Sequence, residues 1–250
     1  MFAYQLSITK TISLLAVAVM LMMSGCASTE YVASERDPWQ GFNRAMYGFN
    51  DTVDQAVLKP AARGYQAVAP DFVETGVRNF FSNINDVSVA VNNLLQGKVS
   101  TAFSDVGRLL VNTTVGVLGL FDVASELGLQ KHQEDFGQTL AVWGVDAGPY
   151  VVLPFFGPAT LRDSTSVPMD QFLLNPVNHI EMEKSDRLYV MATDKVSIRA
   201  DLLSLEESVD EITTDKYSFI REAYLDRRQF LVHDGSPPVE ESLYEDLEEE

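Results

Sequence analysis

Apolar side chains recur at helical spacing from residue 39 onwards, and the first such series is unusually aromatic. Asp37 and Pro38 stand immediately before it, where Asp suits an N-cap and Pro the first helical position. The series therefore predicts an amphipathic helix of about five turns over residues 39–57. Its apolar stripe consists of Trp39, Phe42, Met46, Phe49, Val53 and Val57.

The same periodicity predicts several more helices. Asp71 suits an N-cap for a second helix, a third spans residues 87–96 and stops at Gly97, and a fourth spans residues 99–113. A late helical region covers residues 193–232 with a break near Thr213. The apolar face of the second helix is Val73, Val77, Phe80 and Ile84, and the inward face of the fourth is Ala102, Phe103, Val106, Leu109 and Leu110. No alternating pattern predicts a strand, so the expected class is predominantly α.

A Gly-Phe-Asn triplet occurs twice, one heptad apart, within the first predicted helix. The two copies are Gly41-Phe42-Asn43 and Gly48-Phe49-Asn50. Each glycine inside a helix costs about 1 kcal/mol relative to alanine. Two explanations stay open: close approach of another group to that backbone, or an ordinary amphipathic helix that tolerates two glycines.

Two apolar stretches, residues 109–121 and 147–161, contain no charged side chain. A spanning helix needs about 20 apolar residues, and both stretches are shorter. Pro149, Pro154 and Pro158 also interrupt the second stretch. Periodicity does not distinguish buried core from segments that dip into a bilayer.

The N-terminus has the pattern of a secretory signal over residues 1–25. Lys10 precedes an apolar run of about a dozen residues, and Ser24-Gly25-Cys26 follows it. This ending resembles a bacterial lipobox, in which the cysteine is acylated and becomes the first mature residue. The alternative is a signal cleaved after a small residue, with Cys26 left as a free thiol. We expect acylation of Cys26 and a tether over residues 26–36.

Composition and charge exclude several classes of protein. The chain of 250 residues is 46% hydrophobic, enough for a real core, and its formal charge of -18 disfavours nucleic acid as a partner. A single cysteine excludes an intramolecular disulfide and a cysteine-based zinc site. Residues 234–250 are rich in Asp and Glu and lack Lys and Arg, which predicts a disordered acidic tail after a body of residues 37–233.

Common catalytic motifs are missing from the sequence. It has no Gly-x-Ser-x-Gly elbow, no phosphate-binding Gly-x-x-x-x-Gly-Lys loop and no His-Glu-x-x-His. The segment His132-Gln133-Glu134-Asp135 is the one candidate metal cluster, and its position at a helix start favours capping over coordination. No metal, cofactor or catalytic residue is predicted.

Several ordered blocks resemble the MlaA/VacJ family of outer-membrane lipoproteins. The blocks cover residues 37–233 and are densest between Glu134 and Asp163. They include Asp37-Pro38-Trp39-Gln40-Gly41-Phe42-Asn43, Asn79-Phe80-Phe81-Ser82-Asn83, Asp135-Phe136-Gly137-Gln138-Thr139-Leu140, Gly148-Pro149-Tyr150, Leu153-Pro154, Gly157-Pro158 and Arg221-Glu222-Ala223-Tyr224. Ala141 departs from the family's usual glycine, and residues 164–190 match weakly.

The resemblance implies an all-α body of amphipathic helices that forms a flattened ring in the inner leaflet of the outer membrane, around a central channel. It implies that the chain removes phospholipids misplaced in the outer leaflet and passes them to a soluble periplasmic carrier protein. It also implies association with a trimeric porin, anchorage on the periplasmic side, and no covalent chemistry on the lipid.

From these patterns we hypothesise that the first helix lines part of a lipid path and that the proline-rich segment gates or supports it. Both could equally be plain core or a lipid-facing belt. Two other classes stay open, a structural lipoprotein that organises porins or adheres to a host, and a phospholipid-modifying enzyme. The candidate lining residues are Gly41, Phe42, Asn43, Gly48 and Phe49, and the candidate gate residues are Gly148, Pro149, Leu153, Pro154 and Gly157.

Overall fold

A computed structural model describes residues 36–237 of the chain. The predicted signal peptide, Cys26 and all but the last residue of the predicted tether lie outside the described residues, as do residues 238–250 of the predicted tail. Within residues 36–237, helices dominate, and the two short strands are the whole of the described sheet. The predicted all-α class is confirmed.

The first predicted helix is longer than expected. Helix α1 (Gln40–Val53) continues through a π-helical turn (Asp54–Leu58) into α2 (Lys59–Val68). Pro60 lies at the start of α2 and cannot donate the backbone hydrogen bond of a regular helix. The wider π-helical turn before it takes up this irregularity, so the rod is not interrupted.

Asp37 does not cap α1, because Trp39 occupies the N-cap position. The carboxylate of Asp37 is instead fully buried. It accepts hydrogen bonds from the Asn43 side chain at 2.8 Å, from Arg221 at 3.0 Å and from the Tyr217 hydroxyl. The prediction was wrong because a partner far along the chain competed with the local backbone for this carboxylate.

The second and third predicted helices are one helix, α3 (Asp71–Leu95), which starts after Pro70. The polar residues near its middle do not break it, because Asn83 and Asp86 face a neighbouring helix. Gly97, at a φ of 78°, ends the helix as predicted, and α4 (Val99–Thr114) returns along α3.

A hairpin that the sequence pattern did not predict lies in the second uncharged stretch. Strand β1 (Tyr150–Leu153) pairs antiparallel with β2 (Gly157–Thr160), with Leu153 opposite Gly157. Four-residue strands broken by prolines are too short for an alternating pattern to be recognised. Two short helices precede the hairpin, α5 (Val123–Glu126) and α6 (Phe136–Val142), and three irregular turns follow it, Asp163–Thr165, Val167–Leu173 and Pro176–Asn178.

Three helices complete the body: α7 (Lys184–Asp201), α8 (Leu203–Ile212) and α9 (Lys216–Val232). The predicted break near Thr213 is confirmed, since Thr213 has an extended backbone after α8. Helix α9 packs on β2 and α6. The apolar core cluster lies at this junction and contains Tyr150, Val152 and Tyr217, with Met46, Tyr47, Tyr224 and Leu225 against it.

Candidate functional site

Residues 36–237 reverse the usual distribution of polar and apolar side chains. The largest fully buried side chain is that of Arg108, which is 1% exposed, whereas Phe103 on the same helix is 73% exposed. Charged side chains are seldom buried in proteins surrounded by water, and large exposed apolar surfaces mark contact with a membrane or a partner. The body therefore has a surface suited to an apolar environment around a polar interior.

Helix α4 shows this reversal most clearly. The predicted inward face is wrong for Phe103, Val106 and Leu110, which are all exposed. The prediction is confirmed for Ala102, which is buried together with Asp105, Arg108 and Asn112. Most of the larger apolar side chains of the predicted inward face point outward.

The polar interior is a connected network between α3, α4 and the segments on either side of α5. Arg108 donates two hydrogen bonds to Asp122 at 3.0 and 3.2 Å, and its Nε lies 3.7 Å from Asp86. Lys131 donates to Asp86 as well. Burial raises the pKa of Asp86 despite Lys131. Burial also raises the pKa of Asp122. Hydrogen bonds, of which the one from the Ser125 side chain has the largest effect, outweigh burial and lower this pKa to about 2.

The first uncharged stretch ends in a tight turn with an exposed apolar surface. Val117, Leu118 and Gly119 all have positive φ, and Leu118 is 65% exposed. A Cβ on Gly116 would lie 2.2 Å from the carbonyl oxygen of Phe121, so glycine is required there. Most of this turn is thus not buried core. Its exposed side chains are Val115, Val117, Leu118, Leu120 and Phe121.

No helix within residues 36–237 combines the length and the apolar character that a membrane crossing requires.

The repeated Gly-Phe-Asn triplet binds the hairpin through its asparagines. The Asn43 side chain donates to the Tyr150 carbonyl at 3.0 Å and accepts from the Val152 N–H at 2.9 Å. One heptad later, Asn50 donates to the Leu153 carbonyl at 2.9 Å and accepts from the Phe155 N–H at 2.8 Å. Each amide replaces a missing strand partner for β1 or its turn, which explains the spacing of the repeat.

The glycines of the repeat lie on the opposite, open side of α1. A Cβ on Gly41 or Gly48 would meet nothing within 4 Å. Phe42 is half-buried, and Phe49 is exposed and makes an edge-on contact with Phe155 at 5.2 Å between ring centroids. The structure thus separates the five candidate lining residues, with Asn43 in the core and the two glycines at the surface of α1.

The candidate gate residues all lie in or beside the hairpin. Gly148 and Gly157 have φ of 66° and 81°, and Phe155 in the turn has a φ of 66°. A non-glycine residue in this region is uncommon. Pro149 accepts a hydrogen bond from the Leu161 N–H at 3.0 Å, which closes the base of the hairpin. The turn itself is Pro154-Phe155-Phe156, and all three side chains are exposed.

A cavity of about 400 Å³ lies between α1, the hairpin and helices α7–α9. We call it the hairpin cavity. Charged groups stand along its walls, including Arg199, which makes two hydrogen bonds to Asp54 at 2.7 and 2.8 Å. The candidate gate residue Gly157 borders it, next to Asn50 of the first predicted helix. Its apolar lining comes from Val152, Pro158, Leu202, Leu205, Val209 and Ile220.

A second cavity, of about 300 Å³, lies between α3, α7 and residues 170–175. We call it the α3–α7 cavity. Its wall contains Arg78, which pairs with Asp201 at 3.0 Å, and Lys195, which pairs with Asp194 at 3.2 Å. The sequence did not indicate a site at these residues, because isolated charged residues on a helix normally face solvent.

Arg228 holds together the start of α6 and the end of the hairpin. It is buried and pairs with Asp135 and with Asp163, the latter at 2.8 Å from its Nε. Burial opposes ionisation of both carboxyls, but Arg228 outweighs it and lowers the pKa of Asp135 and of Asp163. Asp135 also accepts from the Gln138 N–H at 3.0 Å, so the predicted capping role is confirmed for it.

His132 contacts a carboxylate but not a metal-binding set. Its Nδ1 lies 2.7 Å from Asp105, which also accepts from the Asn93 side chain at 2.7 Å. Among residues 36–237, no group of three or more His, Cys, Asp or Glu side chains has an arrangement that could hold a metal ion.

Comparison with known proteins identifies clear relatives. The profile of the MlaA lipoprotein family matches residues 35–231. An "Intermembrane phospholipid transport system lipoprotein MlaA" of Haemophilus influenzae is 34% identical over 96% of this chain and 97% of its own length. The protein of the same description from Escherichia coli (strain K12) is 34% identical over 92% of each chain.

A solved structure shares the fold. It is described as "Structural basis for maintenance of bacterial outer membrane lipid asymmetry" and matches with a TM-score of 0.66 and 31% identity. The match covers 78% of this chain and 98% of the solved one. The overall fold of this chain therefore belongs to a known architecture.

Proposed function

Because this chain belongs to the MlaA lipoprotein family, we propose that it is the outer-membrane component of an intermembrane phospholipid transport system. In this proposal it takes phospholipids that are misplaced in the outer leaflet and passes them, chemically unchanged, to the periplasm. The task maintains the lipid asymmetry of the outer membrane.

The reversed distribution of side chains is the observation that carries the proposal. Phe103, Leu118 and Phe155 are each exposed by more than half, while Asp86, Asp105 and Arg108 are buried. Burying apolar surface among acyl chains contributes about 25 cal/mol per Å². A body with this surface is stable when it lies within one leaflet, and it needs no spanning helix to stay there.

The hairpin cavity supplies a route with the required chemistry. Moving a phospholipid out of a bilayer exposes its chains at a cost of about 0.8 kcal/mol per methylene. Leu202, Leu205 and Ile220 offer an apolar wall for the chains. We propose that the path continues from this cavity along α1 to the open side of the helix, which carries Gly48.

We propose anchorage of the chain by acylation of Cys26 on the periplasmic side of the outer membrane. Two or more acyl chains would make this anchorage effectively permanent. The partners in this proposal are a trimeric porin, which would surround or support the body in the membrane, and a soluble periplasmic carrier, which would receive the lipid.

Lipid transfer from vesicles to a soluble acceptor tests the function. The full-length lipidated chain is reconstituted with a fluorescent phospholipid, and transfer to the periplasmic carrier is followed over time. We expect transfer to be faster than from vesicles without the chain. Equal rates, in a preparation whose porin binding is intact, would overturn the proposal in favour of a structural lipoprotein that organises porins.

A further inference from the structure

Two ion pairs border the α3–α7 cavity and present both signs of charge to the same space. Arg78 on α3 lies 3.0 Å from Asp201 on α7, and Lys195 lies 3.2 Å from its neighbour Asp194. All four residues line the cavity. The space therefore offers two cations and two carboxylates to a ligand.

All four charged side chains are accessible to a ligand that would replace their present ion-pair partners. The side chains of Arg78 and Lys195 are 50% and 44% exposed, and those of Asp201 and Asp194 are 40% and 24% exposed. Exposed pairs of this kind contribute little to stability. A ligand with a phosphate and an ammonium can thus replace both internal partners at little cost.

The cavity also has an apolar side, and its lining contains more carboxylates than cations. Phe81, Ile84 and Ile198 line it beside the charges. Asp170 adds a third carboxylate, which accepts hydrogen bonds from Ser88 at 2.8 Å and from Asn92 at 2.8 Å. A net anionic ligand would meet more acids than bases here, whereas a zwitterion would find a partner for each of its charges.

We propose that the α3–α7 cavity binds the zwitterionic headgroup of a phospholipid, with its phosphate at Arg78 and Lys195 and its primary ammonium at Asp194 and Asp201. This inference rests on the proposed transport function and names the class of lipid that is moved. A volume of about 300 Å³ is at the lower limit for small-molecule sites, so it accommodates a headgroup while the acyl chains stay outside.

Competition between two lipids with identical acyl chains tests the proposal. The full-length lipidated chain in detergent is offered phosphatidylethanolamine and phosphatidylglycerol, and native mass spectrometry gives the ratio of the bound lipids. We expect phosphatidylethanolamine to be preferred roughly tenfold, the size of one charge-assisted hydrogen bond. Equal binding of both lipids would overturn the headgroup inference and leave lipid transport standing. Binding of neither lipid would instead count against the transport function itself.

Substitutions test whether the α3–α7 cavity is the site that prefers phosphatidylethanolamine. In Asp194→Asn combined with Asp201→Asn, the ammonium partners are lost, and we expect the ratio to shift toward phosphatidylglycerol. Asp186→Asn combined with Glu183→Gln removes the same number of negative charges from exposed positions at the start of α7 that do not line this cavity, and it should keep the original ratio. An unchanged ratio in the double variant would contradict the assignment.

A soluble competitor separates a membrane lipid from a free metabolite of the same chemistry. Glycerophosphoethanolamine carries the phosphate and ammonium without acyl chains. Failure to displace phosphatidylethanolamine at equal concentration supports a lipid ligand, because the apolar wall then contributes to binding. Displacement at equal concentration would overturn the lipid assignment in favour of a soluble phosphoamine.

Discussion

The side-chain amide of Asn43 donates a hydrogen bond to the carbonyl of Tyr150, 107 residues further along the chain, at 3.0 Å. The same amide contacts Asp37 and the Val152 N–H, and both Asn43 and Asp37 are fully buried. One asparagine thus joins the start of the body, helix α1 and the hairpin.

Replacing Asn43 with Leu leaves the Tyr150 carbonyl, the Val152 N–H and Asp37 with one partner fewer. Each buried polar group left unpaired costs about 1–3 kcal/mol. We expect a clear fall in the midpoint of thermal unfolding in detergent. Asn50→Leu is the matched control, because Asn50 is only half-buried and its loss should cost about 1 kcal/mol. Equal losses in the two variants would contradict the role given to Asn43.

Gly48→Leu tests whether the open side of α1 lines the lipid path. The added side chain meets no protein atom within 4 Å of its Cβ, so the fold should be retained. We expect a several-fold slower transfer of phospholipid to the carrier. Gly64→Leu in α2 is the control, since it also adds leucine to an exposed helical glycine with open space. Transfer at the native rate in Gly48→Leu would remove Gly48 from the path.

Arg108→Met tests the buried charge network. Removing one partner of a buried ion pair costs about 3–5 kcal/mol. In Arg108→Met, Asp86 keeps Lys131 but loses Arg108, and Asp122 loses the two hydrogen bonds that Arg108 donates. We expect much weaker resistance to denaturant at neutral pH. Arg78→Met breaks a half-exposed pair and should cost no more than about 1 kcal/mol in the same assay. Comparable losses in both variants would show that the interior is hydrated.

The pH dependence of stability tests the pairing of Arg228 with Asp135 and Asp163. Both carboxyls have a folded-state pKa below the unfolded value of 3.8. Such groups add stability above the unfolded pKa and lose it as pH falls through the folded pKa. The difference in unfolding free energy between the native chain and Arg228→Met should therefore be largest near neutral pH and shrink below about pH 4. A difference that stays constant down to pH 3 would contradict the pairing.

Cys26→Ala tests the anchor. Without the thiol there is no site for acylation, so the body should leave the membrane fraction or accumulate as an uncleaved precursor. Fractionation with an antibody against the body, together with mass spectrometry of the mature N-terminus, distinguishes these results. Membrane-bound protein of normal mature mass in this variant would refute acylation of Cys26.

Several helix ends could be predicted because they depend on neighbours in sequence. Gly97 ends α3 and Thr213 lies in a break, both as expected, since caps and periodicity act over a few residues. The hairpin was missed because strands of four residues are too short for alternation to show. The charged wall of the α3–α7 cavity was missed because Arg78 and Lys195 line one space only after α3 and α7 pack together.

A polar stripe on α3 was a signal of the buried network, although polar stripes usually face water. Its members are Asn79, Asn83, Asp86 and Asn93, at helical spacing. Asn83, Asp86 and Asn93 are buried. Spacing alone could not assign the side that faces inward.

By itself, the sequence determined that helices dominate, that the amphipathic ones have a polar and an apolar face, and which family the blocks of residues resemble. Those features arise from backbone hydrogen bonding and side-chain order over one or two turns. Only the tertiary structure decided that Phe103 faces out while Arg108 faces in, and that Asn43 meets Tyr150. The reason is physical: a helical pattern separates two kinds of side chain, but the surroundings of the folded body determine which kind is buried.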